Sequence, residues 1–587
     1  MGDERRSRWK PRTATGDRRT GVFRGLMALF AVALVGKLFL LQVMDHPLYA
    51  ALASGQHGIF QRLFPSRGDI LIHDLKDDAL IPAATNQRLA IVFADPRGVE
   101  DPEKTAALVG EAFGYDEEKV ASLARRLSRR DDPYEPIERR VPEATLARVL
   151  ALALPGIRVA SEETRFYPEK ELGGHVFGFL GPDDDGAMTG KYGIEGWFDE
   201  ELAGTPGYLK SERDISGRII AVGEQSVMPA VPGSDVVLTI DRTIQYRACQ
   251  AIVNAVARYQ ADGGSVVIIE PGTGRILALC ATPDFDPGDY GRAGSVSVFN
   301  NPAIFDAYEP GSVFKAFTMA AAVDAGAVTP ESGYEDTGKV TIGAHDIENS
   351  DRAAHGWQTM TQALEKSLNT GMIFAMRETG RDVFAEYVKR FGFGERTGIE
   401  LETEAPGDIR SLDKESEVFP ATASYGQGIT VTVLQLAAAY AAIADGGILK
   451  APRIVDEVRR ADGTVETRAS ADVRRVIDQK TARLIAGMLV SVVEKGHGRL
   501  AGVKGYYVAG KTGTAQVARQ DGRSGYEDDA TIGSFAGFAP VEDPKFAMVV
   551  RIDRPQGARW AESTAAPVFG ELAKFLLEYF EVPPTRK

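Results

Sequence analysis

Apolar residues run from Val22 to Met44 with only Arg24, Lys37 and Gln42 as charged or amide interruptions. A bilayer core takes about 20 helical residues, so this run predicts a transmembrane anchor over 22–44. Beyond it the pattern changes twice. Residues 45–235 mix strand-like runs, such as Leu89-Ala90-Ile91-Val92-Phe93-Ala94, with charged helical stretches, such as Glu117 to Arg126. No pairing of carboxylates or setting for a nucleophile stands out there, and a non-catalytic pedestal is the expected role. From about residue 236 the texture tightens. Asp235 to Ile240 reads as a strand, and Thr243 to Tyr259 as a helix with Ile244, Ala248, Ile252 and Val256 on one face. Gly264 to Glu270, the turn Pro271-Gly272-Thr273-Gly274, and Arg275 to Cys280 predict a hairpin. Late strands follow at Phe535 to Ala539 and Phe546 to Ile552, then an apolar helix from Pro567 to Phe580, and the middle is mostly helical. The predicted fold class is α+β, with an antiparallel sheet drawn from both ends of 236–587 and helices packed on it.

Charge orients the anchor. Arg5, Arg6, Arg8, Lys10, Arg12, Arg18 and Arg19 precede it against Asp3, Glu4 and Asp17, which places 1–21 in the cytoplasm and the bulk of the chain outside. Ala51-Leu52-Ala53 resembles a signal-peptidase site but lies well beyond the run, and signal h-regions span only about 7–15 residues, so an uncleaved anchor is expected. Lys37 either snorkels to the outer interface or faces a partner helix.

Composition narrows the functional classes. The 587-residue chain carries a formal charge of −14, which argues against nucleic acid as its main partner. Cys249 and Cys280 are too few for a disulfide framework and read as small buried residues. The seven histidines show no metal-ligand spacing, so neither metal nor cofactor is expected.

The candidate chemistry begins at Glu309-Pro310-Gly311-Ser312-Val313-Phe314-Lys315. Here a Pro-Gly break gives way to an apolar helix running through Ala316 to Val323, with Gly326 as its stop. Positions three apart share a helical face, which sets Lys315 beside the Ser312 hydroxyl, and an amine in a dry pocket can serve as a base. The spacing alone is weak. Ser-x-x-Lys also occurs at Ser7 to Lys10 and Ser411 to Lys414, in hydrophilic stretches, and roughly two or three are expected by accident. Two further motifs change the odds: Ser367-Leu368-Asn369 is the chain's only Ser-x-Asn, and Lys511-Thr512-Gly513 its only Lys-Thr-Gly. In this order the three form the combination known from penicillin-binding proteins and class A β-lactamases.

The sequence resembles the class B penicillin-binding proteins, membrane-anchored D,D-transpeptidases of bacterial cell-wall synthesis. Pro65-Ser66-Arg67-Gly68-Asp69-Ile70 looks like the family's Arg-Gly signature. Arg165-Phe166-Tyr167-Pro168, His175-Val176-Phe177-Gly178 and Gly193-Ile194-Glu195-Gly196 look like its pedestal motifs, and Ser424 to Leu436 like its glycine-rich turn and following helix. The resemblance implies a basic tail (1–21), an anchor (22–44), a pedestal or dimerisation-type domain (45–235) and a β-lactamase-like transpeptidase domain (236–587). It implies Ser312 as nucleophile, Lys315 as base, Ser367 as proton relay and Asn369 as the residue orienting Lys315 and the substrate amide. Lys511, Thr512 and Thr514 would receive the terminal carboxylate. Gly513 would allow close approach along a strand to which the peptide adds, and the Ser312 and Thr514 backbone N–H groups would form an oxyanion hole.

The substrates implied are peptidoglycan stem peptides ending in D-Ala-D-Ala, with β-lactams as inhibitors. The partners implied are a SEDS-type glycan polymerase and divisome proteins. Glu309-Pro310-Gly311-Ser312 looks more like the division type than the elongation type. Hydrolytic alternatives are a D,D-carboxypeptidase or a β-lactamase, and a β-lactam sensor or silent scaffold is the alternative from another class. The large pedestal disfavours the hydrolases, the short 1–21 tail the sensor, and the intact motifs the scaffold.

Overall fold

The computed structural model describes residues 58–170, 172–212, 226–519 and 525–586, together with Phe23, 27–32, 34 and 35. The expected tail over 1–21 and most of the expected anchor over 22–44 lie outside the described residues. Those of the anchor that are described are helical, with Leu29, Phe30 and Val32 exposed. Among the described residues no helix is long and apolar enough to cross a membrane.

The chain divides into two compact units. The smaller, 1–65 with 205–231, contains an antiparallel sheet of Gly58–Leu63, Gly207–Glu212 and Ser226–Met228. The larger, 66–204 with 232–587, holds two main sheets.

The first of these is built on β1 (Ile70–Asp74) and the long β2 (Ala79–Ala94), with β3 (Glu135–Val141) and β4 (Ile157–Phe166) pairing to β2. β5 (Asp235–Asp241) runs parallel to β1, Val236 opposite Ile70, and carries Val455–Arg459 antiparallel on its other edge. The predicted pedestal and the C-terminal half therefore share one sheet. The helix Pro102–Phe113 beside it shows local chemistry setting an element. The Asp101 carboxylate accepts from Lys104 N, Pro102 sits where no N–H is needed, and Gly114 closes the helix at φ 71°.

The second sheet uses β6 (Gly263–Ile269), β7 (Ile276–Thr282), β8 (Ala509–Ala518), β9 (Tyr526–Ala539) and β10 (Phe546–Asp553). Their order is β7-β6-β10-β9-β8, antiparallel throughout, so β8 is an edge. This is the predicted sheet, drawn from both ends of the C-terminal half. Its faces are both covered, which is why β6 and β10 read as near-continuous apolar runs. Val266 and Ile268 join Ile252 of α1 (Arg242–Tyr259) and Phe569 near the C-terminus in one core; Val267 and Ile269 point into the other, with Ala536 and Leu434.

One expectation is corrected here. Cys249, on α1, and Cys280, on β7, are not free thiols but a disulfide, with Cα atoms 5.3 Å apart. Nothing in a separation of 31 residues shows that the helix folds back across the second strand of the following hairpin. A bridge of that span removes unfolded-state entropy worth about 3–4 kcal/mol in the chain-entropy model, and it fits an oxidising compartment.

The motifs that marked the pedestal converge on a buried carboxylate. Glu195 receives Arg67 at 2.6 Å and Arg165 at 2.7 Å, and Tyr167 donates to it at 3.2 Å. Arg67 also pairs with Asp199 at 2.8 Å, and Arg165 donates to the Asn86 side-chain oxygen at 3.3 Å. Removing one partner from such a cluster leaves uncompensated buried charge. Glu195→Ala is expected to destabilise the protein by about 3–5 kcal/mol in denaturant or thermal unfolding. Glu163→Ala, which breaks only the exposed pair with Arg88, should change stability by less than about 1 kcal/mol.

Candidate active site

The turn carrying Ser312 is a single 3-10 turn, Gly311–Phe314, opening directly into α2 (Lys315–Asp324). Hydrogen bonds pin it from several sides. Tyr308 exchanges backbone hydrogen bonds with Val431, Gly311 N donates to Gly426 O at 3.0 Å, and Tyr440 Oη donates to Val313 O at 2.8 Å. Two glycines make the closest approaches. A Cβ on Gly426 (φ 82°) would fall 2.1 Å from Gly311 O, and one on Gly513 would fall 2.8 Å from both Pro310 O and Val313 N. The glycine-rich turn and the Lys-Thr-Gly strand thus clamp the serine turn, and any side chain at either position would push them apart.

Lys315 is fully buried. Its Nζ donates to Ser367 O at 2.6 Å, to Asn369 Oδ1 at 2.8 Å and to Ser367 Oγ at 3.2 Å. Burial drives its pKa well below the ordinary lysine value, and the neighbouring Lys511 charge adds to the shift. Two of the three partners are carbonyl oxygens, which only accept. The third is a hydroxyl, able to donate to a neutral amine, so the geometry suits an uncharged Lys315 with its lone pair toward Ser367.

Ser367 and Asn369 lie on a turn rather than a strand. Ser367 has φ 56°, an uncommon conformation for a residue with a side chain, and it aims both its carbonyl and its hydroxyl at Lys315. Asn369 begins the helix α3 (Asn369–Thr379), with its amide NH₂ donating to Glu348 O at 2.8 Å.

Lys511 lies within edge strand β8 and is also fully buried, its Nζ donating to Thr512 O at 3.0 Å and Thr512 Oγ1 at 3.3 Å. Burial pulls its pKa down to about 7, opposed by the Glu562 carboxylate. The Thr514 hydroxyl oxygen accepts from Ala561 N at 3.0 Å and keeps its own proton to donate. Ser312, Ser367, Thr512 and Thr514 line one cavity of about 190 Å³. The structure therefore brings the three motifs together. The rival Ser411-Leu412-Asp413-Lys414 sits apart on its own 3-10 turn, with Lys414 over the Phe419 ring at 4.5 Å; Ser7 lies outside the described residues.

Sequence reasoning missed the supports. Buried Asp336 accepts from Gly338 N, His355 N, Asn349 Nδ2 and Thr370 Oγ1, fixing the loop that reaches Asn369 through Glu348. Glu309, three residues before Ser312, accepts from Gly428 N at 2.9 Å and Tyr526 Oη at 2.9 Å. Asp336 ends a short strand that no motif marks, and Glu309, though part of the stretch before Ser312, gives no sign in sequence that it reaches Gly428 and Tyr526. Among the described residues, no group of three or more His, Cys, Asp or Glu is placed to hold a metal ion.

Comparison with known proteins agrees with this architecture. Residues 264–574 match the penicillin binding protein transpeptidase domain, and residues 62–238 the penicillin-binding protein dimerisation domain. The chain belongs to the penicillin-binding proteins, in the class B form that joins these two domains. It is 34% identical over 529 residues to stage V sporulation protein D of Bacillus subtilis, covering 89% of this chain and 79% of that one. It is 30% identical to peptidoglycan D,D-transpeptidase FtsI of Escherichia coli K12, covering 95% and 91%. Among solved structures, penicillin binding protein 3 of Mycobacterium tuberculosis superposes with a TM-score of 0.67 at 27% identity, covering 90% of this chain and 99% of that one.

The Lys511 ammonium lies close enough to shift Lys315. A nearby positive charge lowers Lys315, so removing Lys511 raises it. Lys511→Ala is expected to move the acid limb of the acylation rate to higher pH. It should also slow acylation about 10- to 100-fold through the lost charged hydrogen bond. Stopped-flow acylation by a chromogenic β-lactam across pH 5–9 reads both.

Proposed function

We propose that this chain is a peptidoglycan D,D-transpeptidase of septal wall synthesis, working through an acyl-enzyme on Ser312 and acylated by β-lactams. The observation that carries the assignment is the Lys315 amine, buried without a carboxylate partner among the described residues and held by Ser367 and Asn369 at the cavity that Ser312 lines.

The geometry supports the following sequence of steps. Ser312 Oγ attacks the carbonyl carbon of the penultimate D-Ala as its proton passes to neutral Lys315. The oxyanion is met by the Ser312 and Thr514 backbone N–H groups. A proton returns from Lys315 through the Ser367 hydroxyl to the leaving nitrogen, the C–N bond breaks, and D-Ala departs. Lys511 and the hydroxyls of Thr512 and Thr514 hold the terminal carboxylate, while Asn369 fixes Lys315 and the substrate amide. The donor peptide adds alongside β8, the edge strand of its sheet.

The 22–44 apolar run supports a single N-terminal anchor with the catalytic unit outside the cytoplasmic membrane. The Glu309-Pro310-Gly311-Ser312 stretch and the likeness to a sporulation protein favour a septal setting over elongation, with a SEDS-type glycan polymerase and divisome proteins as partners.

Ser312→Ala is expected to abolish covalent labelling by fluorescent penicillin in the full-length protein, with the wild-type label mapped to the peptide containing Ser312. A label on Ser411 would overturn the site. With glycan strands polymerised from lipid II, the wild-type enzyme should form β-lactam-sensitive cross-links; D-Ala release without cross-links would make it a carboxypeptidase.

A further inference from the structure

The cavity at Ser312 does not end at the Lys-Thr-Gly strand. Lys366, His497 and Glu562 line it, and the same three residues line a second cavity of about 480 Å³ that continues it past Lys495 and Arg499. The junction is built. The Glu562 carboxylate pairs with His497 Nδ1 at 2.9 Å, and Ala561 N, beside Glu562, donates to the Thr514 hydroxyl. The wall of the second cavity is thereby tied to the strand that meets the substrate carboxylate.

Its charge is distinctive in a chain of net −14. Three cations, Lys366, Lys495 and Arg499, face it, while its two carboxylates are already engaged, Glu365 by the Ser491 hydroxyl and Glu562 by His497. Neither Lys366 nor Lys495 has an ion-pair partner among the described residues. Such a cavity suits an anionic peptide.

Reaction symmetry says which one. The acyl-enzyme forms as an amine, D-Ala, leaves. Aminolysis is that step reversed with a different amine, so the acceptor nitrogen must enter where the D-Ala nitrogen left. That position is beside the Ser367 hydroxyl, and whatever the acceptor carries beyond its amine must run toward Thr512 and Thr514, where the leaving residue's carboxylate lay, and into the space past them. In the step itself the acceptor nitrogen bonds to the acyl carbon, the carbon–Oγ bond to Ser312 breaks, and one proton from that nitrogen ends on Oγ. An acceptor arriving as ammonium first loses its extra proton to solvent.

We propose that the second cavity is the acceptor subsite, taking an anionic peptide that bears the attacking primary amine, with Lys366 and Lys495 holding its carboxylates. This rests on the transpeptidase reading and adds where the second peptide binds. A small acceptor such as D-alanine fills only the place vacated by the leaving group and does not reach Lys495, which lines the second cavity alone.

The test separates the two half-reactions in the full-length enzyme. Lys495→Ala, which changes a residue that lines only the second cavity, should be acylated by fluorescent penicillin within about twofold of wild type. With a D-Ala-ending thioester donor, aminolysis by free D-alanine should also stay within twofold. Aminolysis by a soluble stem pentapeptide should fall about tenfold, through a higher KM for the acceptor, and further in Lys495→Glu. Unchanged pentapeptide aminolysis in the charge-reversed variant would overturn the subsite, as would an equal loss with D-alanine or a matching loss of acylation. Failure of the underlying reading looks different, because wild-type enzyme would then not be acylated at Ser312 at all.

Discussion

Everything at this site depends on keeping one amine dry. An ordinary lysine is protonated at neutral pH and useless as a base; taken out of water with no counter-ion, it gives up its proton. Lys315 meets that condition because α2 buries eight consecutive residues from Lys315 to Ala322, and because the partners supplied to it are neutral oxygens rather than carboxylates. A glutamate in place of Ser367 or Asn369 would satisfy the amine better and disarm it. The short polar side chains of the Ser-x-Asn turn solve a narrow problem: they orient the nitrogen without stabilising its charge.

Close backbone approach makes the burial possible. The serine turn, the glycine-rich turn at Gly426 and the edge strand at Gly513 come within distances that no Cβ would tolerate. The glycines let three remote segments of chain seal around Lys315 and bring a second buried lysine, Lys511, close enough to depress it further. Lys511 pairs differently, toward Thr512 on the edge strand of the sheet. Two buried lysines thus have the charged form disfavoured by burial, one among the oxygens of Ser367 and Asn369 and one against Thr512.

How far the sequence disclosed this follows from how local each feature is. Ser312 and Lys315 lie within a single turn, and β6 and β10 are apolar on both faces, so their elements and roles are readable from short windows. The long strand β2 was recognised only at Leu89 to Ala94. Its first half, with Pro82 and the polar Thr85-Asn86-Gln87-Arg88, has no strand periodicity and is held by pairing to β1 and β4. Non-local contacts stayed hidden. Asp336 reaching Asn349 and Thr370, Glu309 bridging to Tyr526, and Cys249 bonded to Cys280 each require knowing which distant segments meet. Arg67, Arg165 and Glu195 are the instructive middle case: their motifs were legible as signatures, while the ion cluster that unites them was not.

That cluster and the active site apply one rule to opposite ends. Glu195 is as buried as Lys315, yet it is surrounded by two guanidinium groups and a phenol, so its charge is compensated and fixed in place. Lys315 has no such compensation among the described residues, and burial disfavours its charged form. Compensated burial ties together three stretches of the pedestal; uncompensated burial lowers the hold of an amine on its proton. A chain that needs a reactive amine in its interior must hold the surrounding walls by other means. The covered sheet, the Cys249–Cys280 bridge and the hydrogen bonds converging on Asp336 do so without bringing a carboxylate into hydrogen-bonding contact with Lys315. The elements that stabilise this domain are therefore the ones that leave Lys315 alone.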